Sequence, residues 1–166
     1  MNISERSFSE QETKKIFADA GIDWKTRSER YVGLKDTVFE RVSGQWWIAY
    51  DEGKPVASYG IGEMDNFYLS LGAVSYKPGA GSLVTKHVID SHGDKPIVAN
   101  AASPAGKKLL DKMGFREIQI KDGFIQDTDI PTEIKSALEV ANERGGTVLR
   151  KMYLLMPKNW FVLLRR

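Results

Sequence analysis

The sequence predicts an α/β domain built on a mixed, partly antiparallel sheet flanked by helices. Residues 46–50 and 55–62 are apolar strand-like runs around the turn Asp51-Glu52-Gly53-Lys54, which reads as an antiparallel hairpin. After it, residues 67–75, 82–92, 96–101 and 103–113 alternate strand, helix, strand, helix, which places a parallel crossover mid-chain. The link between the first strand and helix of that series is Tyr76-Lys77-Pro78-Gly79-Ala80-Gly81-Ser82, with two glycines two apart.

The remaining elements follow from local signals. Ser9-Glu10-Gln11-Glu12 has the form of a capping box; Ile16, Phe17 and Ala20 share a face, and Gly21 is a stop, giving a helix over about 10–20. Tyr31, Leu34, Val38 and Val42 fall three and four apart before Gly44, which predicts a second helix, broken at Gly33. The strand at 67–75 is apolar enough to lie centrally, and Gly72 within it suggests a bulge or a close backbone approach. Ser103 as N-cap, Pro104 at the first helical position and Gly114 past the end define the next helix. A strand over 115–120 follows. Pro131 opens a helix carrying Ile134, Leu138 and Ala141, closed by Gly145-Gly146; strands over 147–156 and 159–164 complete the chain. The terminal Trp160-Phe161-Val162-Leu163-Leu164 is too apolar to stand uncovered.

Composition bounds the function classes. A chain of 166 residues is expected to be one domain over 1–166, with 42% hydrophobic and 28% charged residues, as in ordinary globular proteins. A net charge of +2, with basic residues scattered apart from Arg165-Arg166, argues against nucleic acid as partner. The absence of cysteine excludes disulfides, thiolate metal sites and cysteine nucleophiles, and fits a reducing compartment. Met1-Asn2-Ile3-Ser4-Glu5-Arg6 has no apolar leader core and no run reaches 18 apolar residues, so a cytoplasmic location without membrane partners is expected.

Between a strand and a helix, the Gly79/Gly81 turn lets the backbone pass close to a ligand. It also leaves the first N–H groups of the helix pointing outward, at the positive end of its dipole. That is an anion site, and it suggests a ligand bearing pyrophosphate. His87 and His92 are five apart, off a common helical face, and no carboxylate cluster accompanies them, so no metal site is expected; His92-Gly93 reads as a helix end.

At this point the chain resembles the GNAT family of acyl-CoA N-acyltransferases. The family's cofactor turn is Arg or Gln, two residues, Gly, one residue, then Gly or Ala; here it stands as Tyr76-Lys77-Pro78-Gly79-Ala80-Gly81, with Tyr76 at the first position. The family's later pattern, Leu-Tyr-x-Lys-x-Gly-Phe, stands as Leu109-Leu110-Asp111-Lys112-Met113-Gly114-Phe115, with Leu110 where a tyrosine often serves as general acid. The order of elements from about 10 to 120 also fits, and 121–146 reads as an insertion before the last strands.

The resemblance implies a GNAT-like fold and acetyl-CoA as co-substrate. A pantetheine arm would run along residues 71–75, and a pyrophosphate would sit on the N–H groups of residues 77–82. The cofactor-binding set so implied is Ala73, Val74, Ser75, Lys77, Gly79, Ala80, Gly81, Ser82 and Ser103. It further implies transfer of an acetyl group to an amine of a small molecule or a protein. Glu63 and Asp65, just before the central strand, are the candidate bases, and Tyr76 and Tyr68 are candidate replacements for the missing acid. For Glu63-Met64-Asp65-Asn66 the competing reading is a polar turn, and for both tyrosines it is packing. The alternative function is a GNAT-fold protein without catalysis, a binding or structural component such as a phage uses. A homodimer or larger assembly through the C-terminal strand is a further expectation.

Overall fold

The computed structural model describes residues 1–25, 39, 42–101, 103–152 and 159–164, of which 143–152 and 159 are described as backbone only. The elements are β1 (Asn2–Ile3), α1 (Glu10–Asp19), β2 (Gly44–Asp51), β3 (Lys54–Glu63), β4 (Tyr68–Ser75), α2 (Ala80–Ser91), β5 (Ile97–Ala101), α3 (Pro104–Lys112), β6 (Arg116–Glu117), β7 (Ile120–Lys121), β8 (Phe124–Ile125), α4 (Thr132–Met152) and β9 (Asn159–Leu163). Seven strands form one sheet in the order β1-β2-β3-β4-β5-β9-β6, and β7 and β8 form a separate hairpin.

Local chemistry accounts for most boundaries. Ser9 caps α1 by accepting from the Glu12 N–H at 3.1 Å, and Glu12 accepts from the Ser9 N–H at 2.9 Å, so the capping box forms in both directions. The β2–β3 turn closes through Glu52 (φ 51°) and Gly53 (φ 80°), the left-handed pair whose twist matches a two-residue hairpin. Pro104 opens α3, and the Ser103 hydroxyl accepts from the Gly106 N–H at 3.0 Å.

The sheet separates two apolar layers. On one face Phe17 of α1, Trp24, Trp46, Ile48, Leu69, Leu71, Val98 and Trp160 pack with Ile134, Leu138 and Ala141 of α4. On the other, Val84, Val88 and Ile89 of α2 and Leu110 of α3 cover Tyr59, Ile61, Ile97, Ala99 and Phe161. Burial of each large side chain contributes about 1.5–3 kcal/mol, so this double layer is what holds the strands in register. Of the two adjacent tryptophans, Trp46 is in the core and Trp47 is half-buried against His92, at 5.0 Å between ring centres. No helix among the described residues is long and apolar enough to cross a membrane.

Four readings of the sequence are corrected. Residues 147–152 continue α4 and are not a strand. The glycine pair does not stop the helix, because Ile134, Leu138, Ala141, Gly145, Val148 and Met152 keep the helical spacing of three and four through it. The strand over 115–120 divides: Arg116–Glu117 pairs with β9, and Ile120–Lys121 pairs with β8. The helix after the glycine turn begins at Ala80, two residues before the sequence places it. Finally, β9 lies between β5 and β6, with rungs from Ile97↔Leu163 to Ala101↔Asn159 on one side. Among the described residues it is an interior strand. The predicted helix near 31–42 lies outside the described residues, apart from Phe39 and Val42.

Candidate functional site: a forked sheet facing two helix ends

β4 and β5 run parallel but share only two rungs, Tyr68↔Ile97 and Leu69↔Val98. From Ser70 to Ser75, β4 continues beside β3 alone, roughly 20 Å of strand at about 3.3 Å per residue. β5 turns the other way and pairs with β9 along its whole length. The sheet therefore forks. Backbone N–H and C=O groups on the open side of β4 face the fork instead of a neighbouring strand. The bulge falls at the crotch: Gly60 pairs Gly72 and Ile61 pairs Ser70, leaving Leu71 as the extra residue.

Over one face of the fork lies a cleft of about 600 Å³, lined by Ala73, Ser75, Tyr76, Lys77, Gly79, Gly81 and Ser82 on one wall and Ser103, Ala105, Gly106 and Leu109 on the other. Its size suits a small ligand. The N-terminal ends of α2 and α3 both border it. Gly79 is the N-cap of α2 at φ 82°, a left-handed conformation that costs a side-chain-bearing residue about 1 kcal/mol. Gly81 is needed for a different reason. A Cβ there would lie 3.0 Å from the Ser75 Cβ and 3.3 Å from its Oγ.

That contact corrects one detail of the anion reading. The Gly81 N–H is not free, because it donates to the Ser75 Oγ at 3.2 Å, while Ser75 donates to the Lys77 carbonyl at 2.8 Å. The Ala80 N–H donates to the Lys77 carbonyl at 3.2 Å and Leu83 to Gly79 at 3.1 Å. The Ser82 N–H, in the first turn, has no acceptor among the described residues and is a donor left at this helix end. Lys77 brings a cation to the rim, held by an ion pair with Asp51; the ammonium beside it keeps the Asp51 carboxyl below its usual value.

The residues singled out from sequence therefore fall into two groups. Seven of the cofactor set, Ala73, Ser75, Lys77, Gly79, Gly81, Ser82 and Ser103, line the one cleft. Val74 and Ala80 do not: Val74 packs toward the α1/α4 layer, and Ala80, the first residue of α2, is fully buried against the sheet. Tyr76 lines the cleft too, its ring 5.7 Å from Phe17 and its hydroxyl 3.5 Å from the Asp23 carbonyl; burial pushes its phenol up. Glu63, Asp65 and Tyr68 sit together at the opposite end of β4. Glu63 holds Lys95 at 2.9 Å, and Asp65 is exposed in the turn. The Tyr68 hydroxyl donates to Asp94 at 2.8 Å, and burial with that carboxylate raises the phenol to about 12.

Among the described residues three buried side chains have unpartnered polar atoms, the Thr85 hydroxyl inside α2 and two that share a register pair in the sheet. Asn100 is 5% exposed, and neither its amide nitrogen nor its oxygen has a partner among the described residues. Beside it in register, the Trp160 indole N–H is likewise buried and unpartnered. The available signal was a single amide in the apolar run Ile97-Val98-Ala99-Asn100-Ala101. Among the described residues no group of His, Cys, Asp and Glu converges as a metal site would require.

No protein-family model matches this sequence, and no curated protein matches it. Solved structures do. An acetyltransferase from Streptococcus agalactiae superposes with a TM-score of 0.51 at 14% identity, over 98% of this chain and 97% of that one. N-acetylglutamate synthase from Neisseria gonorrhoeae, in complex with coenzyme A and N-acetyl-glutamate, also gives 0.51, at 12% identity over all of this chain and 36% of the other. The ribosomal-protein-S18-alanine N-acetyltransferase of Escherichia coli gives 0.49 at 13% identity, over 97% and 90%. The fold is that of the GNAT acetyltransferases.

Proposed function

We propose that this protein is an acyl-CoA-dependent N-acyltransferase that moves an acetyl group from acetyl-CoA to an amine of a small molecule or a protein. The observation that carries the reading is the forked β4–β5 pair opening directly onto the Gly79/Gly81 turn in one cleft. An extended, amide-bearing arm can add to the unpaired side of β4 as a further strand would. The Ser82 N–H, the α2 dipole and Lys77 supply the complement to a pyrophosphate. Gly81 lets the start of α2 pack against Ser75, since a Cβ there would meet the Ser75 side chain.

Acetyl-CoA would supply an activated thioester. The amine nitrogen bonds to the acyl carbon as the carbon–sulfur bond breaks; one proton leaves the nitrogen and one reaches the departing sulfur. This chain has few groups to move those protons, so positioning carries most of the work. Backbone N–H groups at the Leu71–Gly72 bulge are the donors available to the acyl oxygen. Tyr76, which lines the cleft, is proposed as the acid; it stands four residues past the bulge, about 13 Å along the strand, so its proton reaches the sulfur through water. Asp65 is proposed as the base, acting through water, with Glu63 as its competitor; the ion pair with Lys95 disfavours Glu63.

A second reading, a GNAT-fold binding or structural component without catalysis, is favoured by Leu110, which is buried where relatives often carry a tyrosine. Calorimetry with acetyl-CoA, then an amine panel monitored for free thiol, separates the two. Binding with turnover supports the enzyme. Binding without turnover on any amine supports the second reading, and no binding removes both the co-substrate and the reaction. Tyr76→Phe and Asp65→Asn should each lower turnover by about ten- to a thousandfold with acetyl-CoA affinity unchanged. An unaltered rate would strike the residue concerned from the mechanism.

A further inference from the structure

Asn100 and Trp160 face each other across the β5–β9 ladder, on the sheet face of Val98, Val162 and Phe39, opposite the face of α2 and α3. Three of their polar atoms are buried without partners among the described residues: both ends of the Asn100 carboxamide and the Trp160 indole nitrogen. Native proteins rarely leave such atoms unmet, because each forfeits a hydrogen bond it had in water. Two on one register pair therefore call for an explanation. Their position supplies one. Asn100 stands two residues past the last β4–β5 rung, Leu69↔Val98, at the crotch of the fork and level with the Leu71–Gly72 bulge.

We infer that Asn100 and Trp160 bind the acceptor, and that the acceptor is a primary amine with a neighbouring carboxamide. The chemistry of the pair selects that class. It offers an amide N–H₂ and an indole N–H as donors and one amide oxygen as acceptor, which complements a C=O beside an N–H. Neither residue is charged, and their neighbours Val98, Val162, Phe39 and Leu71 are apolar, so a neutral group is favoured over a carboxylate or a second ammonium. Asn100 and Trp160 are positioning residues here: they hold the acceptor so that its amine meets the thioester arriving along β4. This inference rests on the acyltransferase reading, yet binding can be observed without turnover.

The test uses the full chain with glycinamide, ethylamine and glycine as probes. Nitrogen-resolved NMR follows the Asn100 side-chain amide and the Trp160 indole, the latter assigned among the four tryptophans with Trp160→Phe. Glycinamide should shift both signals and the other two amines should not. With acetyl-CoA, the kcat/KM ratio of glycinamide to ethylamine should fall at least about tenfold in Asn100→Leu, because that variant cannot pair with the carboxamide. Comparing one ratio between two proteins cancels the difference in amine basicity. Asn100→Leu should keep its acetyl-CoA affinity and melt no lower than the wild type, since it removes two unmet polar atoms. Shifts without turnover on any amine would uphold this site and remove the acyltransferase reading. Turnover with no shifts and an unchanged ratio would overturn the site and keep the enzyme. A lowered melting temperature with an unchanged ratio would mean that Asn100 holds a structural water, which also overturns it. Neither shifts nor turnover would overturn both.

Discussion

Ser82 and Gly81 share one helical turn but do different jobs, and substitution separates them. Gly81 is a packing position; any Cβ must displace Ser75, so its variants confound folding with binding. Ser82 is half-buried at the cleft wall, in the first turn of α2. In Ser82→Glu a carboxylate meets the positive end of the helix, which should hold or raise stability by about 0.3–1 kcal/mol. The same charge should repel a pyrophosphate and weaken acetyl-CoA at least about tenfold by calorimetry. Loss of affinity together with a lower melting temperature would mean that the residue was structural. Asp51 gives a second prediction. Lys77 holds its carboxyl below the unfolded value, so the ion pair contributes stability above the ordinary aspartate range and loses it as pH falls through the lowered folded value. Between pH 7 and about 3, Asp51→Asn should therefore lose less melting temperature than the wild type. Parallel melting curves across that range would refute the pairing in solution.

At the scale of elements, the fork is a difference between the two edges of β5. Its five residues all pair with β9, whereas only its first two meet β4. The chain continuing through α4 is what delivers β9 to that slot. α4 carries Gly145 and Gly146 in its interior, where each costs about 0.5–1 kcal/mol relative to alanine. Gly145→Ala should then raise stability by roughly that amount in denaturant unfolding. A clear loss would mean that this segment is not helical, and would restore the glycine pair as a helix stop. The hairpin of β7 and β8 is tied to the same helix, since the Ile125 N–H donates to the Glu139 carboxylate at 2.8 Å. This segment is thus packed onto the sheet, and Arg116 joins it through ion pairs to Asp127 and Asp129.

For the molecule as a whole, a ligand that binds only the folded state stabilises it by mass action. Acetyl-CoA at one hundred times its dissociation constant should add about 2.7 kcal/mol, a rise of roughly 5–10 °C in melting temperature for a chain of this length. Free coenzyme A should give a similar shift, because the proposed contacts are to the arm and pyrophosphate; acetate alone should give none. A melting curve indifferent to both coenzymes would leave the cleft without its proposed occupant. The same measurement on Ser82→Glu ties the global shift to the α2 helix end.

Signals that act within a few residues of chain were readable directly. The Ser9/Glu12 box, the Glu52-Gly53 turn and the Ser103 cap depend on bonds or dihedral angles spanning one turn, and they appear where the sequence places them; the Gly79 turn does too, although the helix after it starts two residues early. The resemblance of two short motifs pointed to the fold for the same reason. What the sequence could not decide was which strand pairs with which. The end of α4, the division of residues 115–121 between two sheets and the interior place of β9 are set by competition for hydrogen-bonding edges and for apolar cover between segments far apart in the chain. Asn100 belongs to that second kind. In the sequence it is one polar residue in a strand; burial on a shared face with the Trp160 indole, at the point where β4 leaves β5, is a property that only the assembled sheet confers.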